Sequence, residues 1–264
     1  MCYKKDLQTA GFSYLGSCSQ SMKLRLSEEN GVLTYGLYLA PANMSGYEVC
    51  PCSKFCREFC LNGSGHNKVE LLSGKSRIQR ARILKTRLFF ENRDLFMSLL
   101  IHEITKWKSY ASEKNLGFAI RLNCTSDISP EDFVYNGRNI LQIFSDIQFY
   151  DYTKVYSRIR LLEKYPNYDL TYSYNGHNEN LSRKFLERGG KVAVVFASNE
   201  MPESFMGFPC TDGNLYDMRY LDPSGNVIFL HYHPTANDYK NGKFVMPDTP
   251  FVVKPTDSRI SWAS

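Results

Sequence analysis

Between residues 117 and 197 the chain alternates short β-rich apolar runs with stretches of helical spacing, and few folds accommodate that rhythm. "GFAIRLN" (117–123), "IQFYDYT" (147–153), "YDLTYS" (168–173) and "KVAVVFA" (191–197) read as strands. Residues 130–145, 155–164 and 179–188 read as the helices between them. Ser129 before Pro130 supplies a cap and a first-turn proline, and Gly189-Gly190 stops the last helix. Strands separated by helices at this interval predict an α/β fold with parallel strands, a complete or partial (β/α) barrel. Upstream, "VLTYGLYLA" (32–40) reads as a further strand ending at Pro41. Residues 68–90 and 94–113 read as helices, the first with Leu72, Ile78, Ala81, Leu84 and Leu88 as apolar positions, the second opened by Asp94 as N-cap. After about residue 205 the rhythm changes: "DMRYLDPSGNVIFLHYH" reads as an antiparallel hairpin turning at residues 222–225, so 205–264 is expected to be antiparallel or irregular.

No repeat, low-complexity tract or long linker divides the 264 residues, which are read as one domain, 1–264, with a cysteine-bearing loop at 41–66. A composition 43% apolar and 22% charged excludes a disordered chain. No run approaches the roughly 20 apolar residues of a membrane helix, and no apolar segment follows a basic start, so no membrane association is expected and the chain is read as cytoplasmic. The net charge of +5 is unevenly spread: Lys75, Arg77, Arg80, Arg82, Lys85 and Arg87 fall in thirteen residues without an acid. Such a block suits phosphate contacts, although at 100° per residue it wraps around a helix and equally describes a solvated surface.

Each inferred parallel strand is apolar at its start and polar at its end. Arg121, Asn123, Thr125, Ser126 and Asp127 follow one; Tyr150, Asp151, Tyr152, Thr153 and Lys154 another; Thr171, Ser173, Tyr174, Asn175 and His177 a third. Active sites in barrels and open parallel sheets gather at the carboxyl ends of strands, so this end is the expected site. Loop polarity and helix capping explain part of the pattern, but Arg121 and Asn123 lie within apolar strands and need a partner or a cavity. Asp127, Asp151 and Lys154 are the acid/base candidates, with Asp212 as a further carboxylate.

Cys50, Cys52, Cys56 and Cys60 fall within eleven residues of the loop after the first long strand. In a reducing compartment such a cluster points to metal or catalysis before disulfides. A closed zinc site normally takes two separated pairs of ligands, and these four form none, although a tight zinc knot with His66 as substitute ligand remains open. Three cysteines in one loop also suit a 4Fe-4S cluster with one iron free to bind a small molecule, as Cys50/Cys56/Cys60 or Cys52/Cys56/Cys60.

Strands alternating with helices after a cysteine loop resemble the radical S-adenosylmethionine enzymes, which use a partial (β/α)6 barrel and place three cluster cysteines after the first strand. The spacing here departs from the common Cys-x3-Cys-x2-Cys of those enzymes. The resemblance implies S-adenosylmethionine on the open iron, with polar strand ends (Arg121, Asn123, Ser126, Thr171 and Ser173) around its ribose and methionine parts. A closer resemblance, through "LAPANMSGYEVCP", "RARILKTRLF", "IRLNCTSDIS", "FYDYTKVYSR", "NYDLTYS" and "KVAVVF", is to a phage-encoded family known by a gene-product number, eighty-eight. It implies Cys50, Cys56 and Cys60 as the shared metal trio, leaves Cys52 as an extra, and carries no activity with it. Cys2, Cys18, Cys124 and Cys210 read as packing or surface thiols.

His231 and His233 flank one residue, as in a divalent-metal nuclease with Tyr150 as nucleophile and Lys154 nearby, or they merely share a strand face. Tyr150, Tyr152, Tyr156, Tyr172 and Tyr174 suit either base stacking or core packing. The leading expectation is a radical S-adenosylmethionine-like iron–sulfur enzyme acting on a nucleotide or nucleic acid in the host cell cytoplasm. The alternatives are a nucleic-acid-binding protein with structural zinc, and a non-redox barrel enzyme that modifies a nucleobase through Asp127 or Asp151.

Overall fold

The computed structural model describes residues 3–18, 22–57, 60, 62, 76–240 and 243–263. An eleven-stranded sheet runs through it: β1 (Gly16–Ser17), β2 (Val32–Leu37), β3 (Gly117–Arg121), β4 (Gln148–Thr153), β5 (Tyr168–Ser173), β6 (Lys191–Phe196), β7 (Ser204–Phe205), β8 (Phe208–Asp212), β9 (Val227–His231), β10 (Val252–Val253) and β11 (Ile260–Ser261). Its order is β1-β2-β3-β4-β5-β6-β9-β8-β7-β11, with β10 pairing β6. The ladder from β2 through β6 to β9 and β8 is parallel throughout, with registers such as Ile120↔Phe149, Tyr152↔Thr171 and Val227↔Val192. Within this sheet, among the described residues, the antiparallel pairings are those of β1 with β2, β7 with β8 and β11 with β7. The expected mixed α/β architecture with a mostly parallel sheet is therefore present.

The helices are α1 (Tyr3–Thr9), α2 (Met22–Glu29), α3 (Arg77–Glu91), α4 (Arg93–Glu113), α5 (Ile140–Ile143), α6 (Arg160–Lys164) and α7 (Glu179–Glu187). Strand side chains alternate between faces. Leu33, Tyr35, Leu37, Ile120, Leu122, Phe149 and Leu170 point to the face where Phe89, Phe96, Leu100 and Ile104 of α3 and α4 form the main core. Val192, Val194, Phe196 and Phe229 continue that face against Phe185 and Leu186 of α7.

The alternate residues carry charge, and the segment between β8 and β9 meets them. Arg121 Nη1 donates to both oxygens of Asp217 (3.0 and 2.8 Å), and the Tyr150 hydroxyl donates to the same carboxylate (3.0 Å). Lys191 Nζ donates to Asp169 (2.8 and 2.7 Å) and to the Arg219 carbonyl (2.6 Å), while fully buried Arg219 lies 3.0 Å from Asp222. Buried charges need such partners, which explains why this face tolerates them.

Two expectations for elements fail. Residues 130–145 are not one helix: Pro130–Asp132 makes a 3-10 turn, Val134–Tyr135 pairs with Arg138–Asn139, and only α5 is α-helical. Asn136 and Gly137 take positive φ (49° and 75°), and an Asn-Gly pair at such angles favours a hairpin over a helix. Residues 217–231 are not a hairpin either. Arg219–Leu221 forms a 3-10 turn and β9 runs parallel to both its neighbours; the tight antiparallel turn lies instead at Met206-Gly207, between β7 and β8. The cap of α4 is Asn92, whose side chain accepts from the Leu95 amide (3.2 Å), with Asp94 inside the first turn. Leu72 and the start of the helix expected from residue 68 lie outside the described residues.

Candidate functional site at the carboxyl edge of the sheet

The chain leaves β2 and enters the cysteine loop, which is stitched to the loop after β3. The Asp127 amide donates to the Val49 carbonyl (2.8 Å) and Thr125 Oγ1 to the Leu39 carbonyl (2.6 Å). Cys50 is fixed through its amide to Glu48 Oε1 (2.9 Å), and its sulfur lies 4.0 Å from the Thr125 carbonyl. A turn follows, in which the Ser53 amide reaches the Cys50 carbonyl (3.0 Å) and the Cys56 amide reaches the Ser53 carbonyl (3.1 Å). It delivers Cys56 against Tyr232, Phe251 and Val252.

Cys50, Cys56 and Cys60 are half-buried, whereas Cys52 is exposed. Burial pushes the Cys50 thiol up to about 12, with Cys60 and Cys56 adding to the rise; burial likewise raises Cys60, reinforced by Cys56 and opposed by Lys154 and Arg82. Among the described residues, no three His, Cys, Asp or Glu side chains stand in metal-ligating geometry. His66 lies outside the described residues.

The expected carboxylates are committed to building the edge. Asp127 accepts from Thr153 Oγ1 (2.8 Å) and the Lys154 amide (2.9 Å) and pairs with Arg158, which also donates to the Asp127 carbonyl (2.7 Å). Asp151 accepts from the amide and the side chain of Asn123 (2.8 and 3.0 Å). Asn123 in turn accepts from Ser126 Oγ and the Ile128 amide (both 2.8 Å), so Asn123, Ser126 and Asp151 form one clamp over residues 123–128. Burial pushes the Asp151 carboxyl up to about 7, against the hydrogen bonds from Asn123.

Lys154 is placed differently. Its Nζ donates to Ser173 Oγ (2.8 Å) and stands 5.6 Å from the Phe251 ring centre, and it enters no ion pair among the described residues. Of the remaining expected residues, Arg121 is held on Asp217 with its guanidinium over Tyr152 (4.6 Å), and Thr171 is fully buried with its hydroxyl unpartnered. The edge thus groups Cys50, Cys56, Cys60, Lys154 and Ser173.

Arg82 joins them, although sequence reasoning saw it only as part of the basic block. It donates to Asn62 Oδ1, lies 5.1 Å over the Tyr38 ring and acts on both Cys60 and Cys124. The block itself breaks up on the fold: Arg77, Arg80 and Arg87 are exposed, and Lys75 lies outside the described residues. Lys85 is buried, bonded to the Leu15 carbonyl, and pushed down by burial to about 8. Phe251 carries no sequence signal at all, because a strand of two residues, β10, brings it to the edge.

Three of the strand-end tyrosines turn inward. Tyr150, Tyr172 and Tyr174 are fully buried, which makes them packing residues and takes Tyr150 away from any nucleophile role. His231 Nδ1 lies 2.8 Å from the Ser198 carbonyl with its ring perpendicular to that of His233. On the helix side of the cysteine loop a cavity of about 500 Å³ is lined by Val49, Pro51, Phe89, Phe90, Asp127 and Arg158, and the thiols do not line it. Among the described residues, no helix is long and apolar enough to cross a membrane.

Residues 16–243 match the family described as Gene product 88. No curated protein and no solved structure matches the chain.

Proposed function

The chain belongs to the Gene product 88 family, a phage gene-product family, and from that premise we propose that it is a radical S-adenosylmethionine-like iron–sulfur enzyme acting on a nucleotide or nucleic acid in the cytoplasm of the infected cell. The observation that supports the proposal is that three thiols, Cys50, Cys56 and Cys60, lie on the loop that leaves the first parallel strand at its carboxyl end, the end of the sheet at which Lys154 and Ser173 meet. The parallel ladder from β2 to β8 suits the partial barrel of such enzymes.

Soft thiolates fit iron and sulfide, and three of them leave one position open. When bound, a 4Fe-4S cluster with an open iron supplies one-electron chemistry to S-adenosylmethionine. The chain's own residues bind and orient. Ser173 and Lys154 present a hydroxyl and an ammonium to the edge, and Asn123 with Asp151 keeps the 123–128 loop in place behind the thiols. Thr171, one residue pair deeper on β5, offers an unpartnered hydroxyl.

Anaerobic reconstitution with iron and sulfide tests the trio. Wild type and Cys52→Ser are expected to take up iron and, on reduction, to cleave S-adenosylmethionine; Cys50→Ser, Cys56→Ser and Cys60→Ser are expected to lose both. Stoichiometric zinc with no iron uptake would overturn the proposal in favour of a zinc-stabilised nucleic-acid-binding protein, whose binding would weaken steeply with salt.

A further inference from the structure

Past the carboxyl end of β9 the chain builds a small hairpin outside the main sheet. Tyr239–Lys240 pairs antiparallel with Lys243–Phe244, in the register Tyr239↔Phe244 and Lys240↔Lys243. Its root is fixed at the edge that carries the cysteine loop. Tyr232, whose amide donates to the Phe196 carbonyl (3.0 Å), packs with Phe251, Val252 and Cys56. The Tyr232 hydroxyl and the Thr235 amide and hydroxyl all donate to Asp238 Oδ2 (2.6, 2.6 and 2.9 Å), and the Asp238 carbonyl accepts from the Val245 amide (2.8 Å). Tyr232, Thr235 and Asp238 are buried. Beyond this root the surface is open. Lys240 and Lys243 are exposed and enter no ion pair among the described residues. Phe244, Val245 and Met246 follow at 43%, 44% and 43% exposure. The acids nearest in sequence are engaged elsewhere, Asp238 by its three donors and Asp248 by Lys254.

We propose that this hairpin grips a single-stranded nucleic acid, with Lys240 and Lys243 on its phosphates and the Phe244 ring against a base. Like charges directly opposite each other destabilise a ladder, and Lys240 faces Lys243 on a ladder of two residue pairs. A polyanion relieves that repulsion. Cations beside an exposed ring are what single-strand binders present: the backbone follows the charge and the base stacks on the ring. Phe244 stands next to Tyr239 (ring centres 6.0 Å apart), so the ring lies on the same ladder as the lysines. A duplex keeps its bases stacked and offers Phe244 no open face. A lipid surface would meet the same lysines, but three apolar side chains bury little in it. The grip rests on the nucleic-acid reading proposed above and narrows the substrate to a strand, held beside the cysteine edge in which the hairpin is rooted.

Fluorescence anisotropy of a fluorescein-labelled oligothymidine strand, titrated with the full chain over a series of salt concentrations, tests it. Binding is expected to weaken with salt, and the double substitution Lys240→Gln, Lys243→Gln to flatten the log–log salt slope by about 1.4, half of it from each lysine. Phe244→Ala is expected to weaken binding roughly tenfold at an unchanged slope, which separates stacking from charge. Lys254→Gln, at a lysine already paired with Asp248, is expected to change neither. Circular dichroism checks that each variant folds, and because the altered side chains are exposed, the single lysine variants decide if the double one does not. No binding, tighter binding to a duplex than to the strand, binding untouched by the hairpin substitutions, or uptake by phosphatidylglycerol vesicles in place of the strand would overturn the inference. Wild-type binding that survives every hairpin substitution removes only the hairpin, whereas no strand binding by the wild type removes the nucleic-acid reading with it. Iron uptake by Phe244→Ala is expected to match the wild type, so loss of grip and loss of the metal are read separately.

Discussion

Asp151 shows how one buried carboxylate can hold a loop and tie the stability of the protein to pH. It is nearly inaccessible to solvent, and burial raises its carboxyl to about 7 although Asn123 donates two hydrogen bonds to it. A carboxyl whose pKa is higher in the folded state than in the unfolded state binds its proton more tightly when folded, so its contribution favours folding at low pH. That contribution is lost as pH rises from about 4, where the unfolded group ionises, to about 7, where the folded one does; the full change is on the order of 4 kcal/mol. Urea unfolding across this range is therefore expected to show a fall in stability with rising pH that is missing in Asp151→Asn. An identical pH slope in the two proteins would contradict the assignment. The sequence marked Asp151 as an acid/base candidate because a carboxylate ended a strand, but it cannot reveal that the partner is Asn123, in the loop just past the neighbouring strand.

At the scale of elements, legibility followed local chemistry. The strand runs at 117, 148, 168 and 191 were readable because each is a compact β-rich segment buried from both sides. The 130–145 segment misled because helical spacing of its apolar residues conceals the Asn136-Gly137 turn. The two-residue strand β10 was unreadable, since only tertiary pairing defines it: Val252–Val253 takes the ladder position beside the end of β6, after β5 has stopped pairing at Ser173↔Ala193. Gly176 permits this. Its φ is +87°, and a Cβ there would fall 2.5 Å from the carbonyl carbon and oxygen of Pro250. Gly176→Ala is expected to cost about 1–3 kcal/mol and to loosen β10 selectively. Hydrogen exchange should report it at the Ala197 amide, which donates to the Val253 carbonyl (2.8 Å), with protection falling about tenfold or more while β6–β9 amides keep theirs. Uniform loss of protection, or none, would count against this role for the glycine.

Across the whole molecule, one face of the sheet is an apolar core under α3, α4 and α7, and the other is a set of charged pairs closed by the segment between β8 and β9. The parallel sheet was legible in the alternation of elements; the closing segment was not, because Asp217 and Arg219 look like ordinary surface charges in sequence. Asp217→Ala would leave the Arg121 guanidinium buried without its counter-charge, and equilibrium denaturation is expected to show a loss of about 3–5 kcal/mol. A loss below about 1 kcal/mol would mean that the pair does not secure the segment. The candidate edge was half legible: the cysteine loop could be placed at it from the sequence, whereas Phe251 reaches it only through the fold. The central claim is that those cysteines hold iron and sulfide. Metal and acid-labile sulfide analysis of the protein purified without oxygen tests it most directly: the account predicts about four irons and four sulfides per chain, and stoichiometric zinc, or protein free of both metals, would contradict it.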